Sequence, residues 1–245
     1  GLSVLRENLA ARLIRLDPHE TFRQDAGPEI RRVLGELPEE QRDVPPRITY
    51  AVGGAGAQTG LARQLLKGFR EALLDETMAL TLVAGVREEI YTRFLELIER
   101  LDLDDALAEG QLQVLYEPTM EAYFPAFNKL MAETDVLWTK PSELVFYGAL
   151  GMPLVLSPPV GFHERHNRQW AIERGVGIRQ RDPRAAAEHI AELLEAAGQG
   201  QVTRQLPGQR AQLGSGAGHA RQITPEQPLP IPECAGHGPG ATQPG

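Results

Sequence analysis

From residue 48 to residue 197 the chain alternates short apolar runs with longer amphipathic ones. The apolar runs fall at 48–52, 80–84, 112–115, 135–138, 154–157 and 177–179. Runs this short and this continuously apolar predict strands buried on both faces. Helical patterns separate them, at about 59–74, 88–101, 119–132 and 142–150, in a stretch carrying His163, Asn167 and Trp170, and at about 183–197. In the second of these, Ile90, Phe94, Leu97, Ile98 and Leu101 share one helix face. Pro125 predicts an interruption in 119–132. Gly151 and Pro153 close 142–150, and Pro183 suits the first position of the last helix. Six strand–helix units in series predict an α/β fold. The expected form is a Rossmann-like, doubly wound parallel sheet of about six strands with right-handed crossovers.

The two ends read differently. Residues 4–16 put Leu5, Leu9, Leu13 and Leu16 on one helix face, and Pro18 stops that helix. Residues 29–37 suggest a second short helix, and Pro38, Pro45 and Pro46 mark a linker. Residues 1–47 are therefore expected to be a helical linker or the remnant of an N-terminal domain, and 48–197 the Rossmann-like domain. From about residue 198 the chain is rich in Gly, Pro, Gln and Ala, too poor in apolar clusters to offset its ordering entropy. A disordered tail over 198–245 is expected. The chain opens on Gly1 and is read as a fragment or a processed product.

Composition narrows the class. A length of 245 residues suits one large domain, and 42% hydrophobic with 24% charged residues is ordinary for a globular chain. A net charge of -8 supplies no global basic field, so nucleic acid is not an expected partner. Cys234 is the single cysteine, which rules out an internal disulfide and fits a reducing, cytoplasmic setting. No basic-then-apolar leader is visible. Residues 144–162 are uncharged and near membrane-spanning length. Pro153, Pro158 and Pro159, with Gly148 and Gly151, would break such a helix repeatedly, so a helix end and a buried strand are expected.

Ligands of open parallel sheets sit where strand carboxyl ends meet helix N-termini, so the candidate chemistry lies in those loops. Gly53, Gly54 and Gly56 follow the first strand and precede a helix. They either present backbone N–H groups to an anion or only make a tight turn. Arg87, after the second strand, is either a phosphate clamp or a solvated first-turn residue. Thr119 suits a helix cap in the loop that begins at Tyr116. Lys140, Ser142 and Glu143 follow the fourth strand. Lys140 could oppose a leaving diphosphate, while Ser142 and Glu143 fit either ligand contacts or a cap and first-turn acid. His163 and Asn167 lie four apart, on one helix face. With His166 they do not make a metal set, since no third ligand is near in sequence. Trp170 and Ile172 are expected to pack their helix on the sheet, and Tyr123, Phe124 and Phe127 to serve the core or an interface.

The stretch 135–177 resembles the C-terminal half of GT-B glycosyltransferases, in the group of the lipid I N-acetylglucosaminyltransferase and the plant galactolipid synthases. Asp135, Gly151, Pro153, Pro158 and Asn167 carry the likeness, which spans residues 48–194. It is similar also to uncharacterised GT-B-like proteins with Leu-Trp-Thr-Lys-Pro-Ser-Glu-Leu, here residues 137–144. The resemblance implies a nucleotide-diphosphate sugar, UDP-linked, as ligand, and glycosyl transfer with no cofactor and no bound catalytic metal. It implies that Gly53, Gly54, Gly56, Arg87, Lys140, Ser142, Glu143, His163 and Asn167 bind substrate, and that the loop at Tyr116 holds the base. His163 takes the place of a sugar-contacting glutamine, and Phe146 that of a ribose-gripping glutamate. The general base is implied to come from a missing N-terminal domain, so the chain alone is expected to be inactive. A peripheral membrane association through the acceptor is left open. Two rivals stand beside this reading: a sugar-nucleotide 2-epimerase, and a non-catalytic GT-B-like binding or interaction domain.

Overall fold

The computed structural model describes residues 2–41, 43–51, 58–141, 147–148, 151–159 and 161–198, all within the unit Gly1–Ser215. Among them the six apolar runs form strands: β1 Arg47–Ala51, β2 Ala79–Gly85, β3 Leu112–Tyr116, β4 Val136–Thr139, β5 Leu154–Leu156 and β6 Gly177–Arg179. All neighbours pair in parallel, in the order β3-β2-β1-β4-β5-β6. The fold is thus α/β and doubly wound. The winding direction reverses once, between β1 and β4.

The helices are α1 Leu2–Leu16, α2 Thr21–Leu34, α3 Gln58–Leu74, α4 Glu88–Glu99, α5 Asp104–Glu109, α6 Met120–Glu133, α7 Phe162–Glu173 and α8 Ala186–Gly198. Strand alternation sorts the apolar residues into two cores. Ile48, Tyr50, Leu80, Leu82, Leu112, Val136, Trp138 and Val155 face one way. They meet Leu65, Leu66 and Phe69 of α3, Phe94 of α4 and Ile190 of α8. Val83, Leu137, Leu154 and Leu156 face the other way and meet Leu130 and Met131 of α6 and Ala171 of α7. Each buried Leu or Phe contributes roughly 1.5–3 kcal/mol, which is why both faces must be covered. Gly68 lets α3 approach the short 3-10 turn Pro183–Ala185, since a Cβ there would collide with the Pro183 and Arg184 carbonyls.

Several helices differ from expectation. α2 begins at Thr21, well before the expected short helix, because the Asp17 carboxylate accepts from the Phe22 and Arg23 backbone N–H groups at 3.3 and 3.0 Å. α5 lies in the connection between α4 and β3, for which no element was expected. Pro125 does not interrupt α6. The carbonyl it leaves without a helical donor belongs to exposed Glu121, where solvent can serve it. Trp170 does not pack α7 on the sheet. It is 37% exposed, and Ala171 and Ile172 make that contact. Phe124 is likewise exposed, whereas Tyr123 and Phe127 pack on the second core. The expected helix at 142–150, apart from Tyr147 and Gly148, and the expected tail after 198 lie outside the described residues.

Residues 2–34 join the sheet at its amino-terminal edge. Leu13, Phe22 and Ile30 make a small core of their own. Arg15 grips Asp135 in two-point geometry, Nε and Nη2 both donating to Oδ1 at 2.9 and 2.7 Å. Asp135 Oδ2 accepts from Arg15 Nε at 2.8 Å and from the Arg47 backbone N–H at 2.9 Å. Arg12 Nε donates to the Thr134 carbonyl at 2.9 Å. Burial pushes the Arg12 guanidinium down to about 10, against the opposing pull of Asp135.

Candidate functional site

The winding reverses between β1 and β4, and the carboxyl ends of strands at such a reversal are where open α/β sheets bind ligands. Ala51 and Thr139, the last residues of the two strands, are register partners. The chain therefore leaves β1 toward the Gly53, Gly54 and Gly56 turn from a point beside the one where it leaves β4 toward Lys140. α3 starts at Gln58, so its positive end faces the same edge. The three glycines, Ser142 and Glu143 lie outside the described residues, as does Phe146. Lys140 is described and partly buried, one residue beyond β4.

Neighbouring structure holds the Lys140 loop. The Ser157 backbone N–H donates to the Thr139 carbonyl at 2.9 Å. Pro141 is buried, and its carbonyl accepts from Asn167 Nδ2 at 2.9 Å. Asn167 therefore ties α7 to the loop after β4. His163, one turn earlier on α7, is exposed beside exposed Phe162, with ring centroids 6.3 Å apart. Gly161 leads into α7 without a side-chain cap. The first-turn N–H groups of α7 thus open onto the same edge, past the end of β5.

Arg87 occupies the cap position of α4 and is partly buried. Gly85, at φ +70°, turns the chain out of β2 toward it. β2 neighbours β1, so Arg87, the glycine turn, Lys140 and the start of α7 follow four consecutive strands in space. Thr119 caps α6 as expected, its Oγ1 accepting from the Ala122 N–H at 3.3 Å. Within β1, Tyr50 is buried next to Trp138, its register partner. Burial pushes the Tyr50 phenol up, so it remains a neutral hydroxyl in the physiological range.

One group was not singled out from sequence. Gln180 follows β6, and its Oε1 accepts from Trp138 Nε1 at 3.0 Å and from Ser157 Oγ at 2.9 Å. It clamps the carboxyl ends of β4, β5 and β6. Its only trace in the sequence is a polar amide directly after an apolar run. Among the described residues, no three metal-ligating side chains converge, and no helix is long and apolar enough to cross a membrane.

A family profile matches residues 35–205, more than half of the chain. The chain belongs to the DUF6938 family. That family is described as a domain of unknown function. The DUF6938 match contains all of β1 to β6 and α3 to α8, and leaves out α1 and α2. No curated protein matches the chain.

Proposed function

We propose that this DUF6938 domain binds a nucleotide-diphosphate sugar, UDP-linked, at the carboxyl edge of β1 and β4. On this reading it is the donor-binding half of a GT-B-like glycosyl transfer. The observation that carries the proposal is the strand order, with its single reversal beside Ala51 and Thr139. It sets the carboxyl ends of β1 and β4 side by side, which supports a shared site for the Gly53, Gly54 and Gly56 segment, the start of α3 and Lys140. Each favours phosphoryl oxygens for its own reason: free N–H groups, the helix dipole and a point charge.

In such a transfer the acceptor oxygen bonds to the anomeric carbon while the carbon–oxygen bond to the diphosphate breaks. The electron pair leaves with the nucleoside diphosphate, and the acceptor proton goes to a general base. Lys140 and the α3 N-terminus stabilise the charge that develops on the departing oxygens. Asn167 keeps Lys140 in place through Pro141. The resemblance assigns the base to another domain, so binding is the property to test in this chain.

Calorimetric titration of the chain with UDP, UDP-N-acetylglucosamine and a guanosine counterpart tests the proposal. Saturable binding of the uridine ligands is expected, weakened roughly tenfold or more by Lys140→Ala, as suits a charge-assisted contact. An absence of heat with every nucleotide, or binding indifferent to Lys140→Ala, would overturn it.

A further inference from the structure

The amino-terminal edge of the sheet carries a cavity of about 740 Å³, at the opposite ends of the strands from the proposed nucleotide site. The volume lies within the roughly 300–1,000 Å³ usual for small-molecule sites. Strand register builds its floor. Arg47 and Ala79 are partners, while Gln111 and Asp135 come directly before Leu112 and Val136, the partners of Leu80 and Ile48. These four lining residues thus form one row across the starts of β3, β2, β1 and β4. Ile48, Leu80, Leu112 and Val136 face the α3 core, so alternation turns the row to the other face of the sheet. Glu7, Ala11 and Arg15, four apart on α1, line one wall above it.

Part of the polar lining is committed and part is not. Arg15 is held by Asp135 and by Gln41, whose Oε1 accepts from Arg15 Nη1 at 2.6 Å. Arg47 reaches along its strand face to buried Thr81, Nη1 donating to Oγ1 at 3.2 Å. Glu7, Glu36, Glu109 and Glu133 are exposed in the lining and make no side-chain hydrogen bond or ion pair among the described residues. With Asp135 they make five carboxylates against the two guanidiniums of Arg15 and Arg47, a formal surplus of three negative charges. At the floor, Gln111 Oε1 is buried without a hydrogen-bond partner among the described residues. A buried acceptor ordinarily has a donor, so this one calls for an N–H or O–H that the described chain does not supply. The carboxylates do not converge, since no three metal-ligating groups come together among the described residues. Negative charge spread along a cavity suits a cation whose own charges are spread, in preference to a metal ion.

We propose that this cavity is a site for a linear di- or polyamine. One amine nitrogen donates to Gln111 Oε1, and the other charged nitrogens lie in the negative field of Glu7, Glu109 and Glu133. The buried Arg15–Asp135 pair beneath takes no part in recognition. The proposal does not rest on the nucleotide reading, and either can fail alone.

The full chain is titrated with spermidine by calorimetry at low ionic strength, where exposed charges are least screened. Magnesium chloride at matched ionic strength is the control for diffuse attraction. Saturable binding is expected with spermidine and not with magnesium. Glu109→Gln combined with Glu133→Gln should weaken spermidine about fivefold or more. Glu71→Gln combined with Glu99→Gln removes two exposed acids that do not line the cavity, and should change affinity by less than about twofold. All four acids are exposed, so both double variants keep the fold. Gln111→Leu removes an amide that bonds to nothing in the described chain and should weaken spermidine severalfold. No saturable binding overturns the proposal. Binding reproduced by magnesium, equal effects of the two acid pairs, or indifference to Gln111→Leu overturns it too.

Discussion

The two edges of the sheet use similar residue types to opposite ends. At the amino-terminal edge Arg12, Arg15 and Asp135 are buried, and their hydrogen bonds run to one another, to backbone groups and, from Arg15 Nη1, to Gln41 Oε1 at 2.6 Å. At the carboxyl edge Lys140 and Arg87 are only partly buried and His163 is exposed, beside helix N-termini that open outward. A buried charge has to be matched by its own protein, because desolvation costs several kcal/mol per ion. On the proposed reading Lys140, partly buried at the carboxyl edge, is the charge that serves a ligand. Asp135 illustrates the distinction. It contributes to a resemblance with nucleotide-sugar enzymes, yet its carboxylate lies at the far end of β4 from Lys140, locked to Arg15 and Arg47.

This contrast can be broken most forcefully at Asp135. Asp135→Ala strands Arg15 with no carboxylate in a site where Asp135 is 0% exposed. A loss of about 3–5 kcal/mol in urea unfolding is expected. A loss under about 1 kcal/mol would mean that solvent reaches the pair and that the edge is not sealed. Thr134→Val comes next. It removes the hydroxyl bonded to Thr49 Oγ1 at 2.8 Å and should cost about 1–3 kcal/mol by the same measurement, with UDP affinity unchanged. If affinity fell instead, the two edges would not be separable.

Asn167→Ala probes the opposite edge. Loss of its bond to Pro141 should cost about 0.5–1.5 kcal/mol of stability. UDP binding should weaken severalfold as the Lys140 loop is released, and unchanged affinity would remove the positioning role. The smallest effect is expected at Asp182, fully exposed and held down to about 2 by hydrogen bonds from Arg184. Because its folded value is below the ordinary 3.8, its contribution is present above that pH and lost as pH falls toward 2. The difference in melting temperature between the protein and Asp182→Asn should therefore be small at neutral pH and vanish in that acid window. A difference that persisted at pH 2 would point to the cap geometry instead of the charge.

Strand and helix identities were legible because burial on two faces demands apolar runs, and runs of this length leave little choice of element. The misreadings came from residues whose role depends on what stands opposite them. Pro125 is tolerated because its helix exposes the affected carbonyl, and Trp170 lies outward because smaller Ala171 makes the sheet contact. The site was legible only as a set of loops. Lys140, the glycines, Arg87 and His163 are far apart along the chain, and nothing local distinguishes Asn167 as a clasp for Pro141.

What the amino-acid order settled alone was the kind of fold, since hydrophobic periodicity acts over a few residues and needs no distant partner. Which strands became neighbours was decided only in three dimensions. Placing β1 against β4, with more than eighty residues of chain between them, required both sheet faces to be covered at once. That choice put Ala51 next to Thr139 at one edge of the sheet and Asp135, bonded to Arg15 and Arg47, at the other.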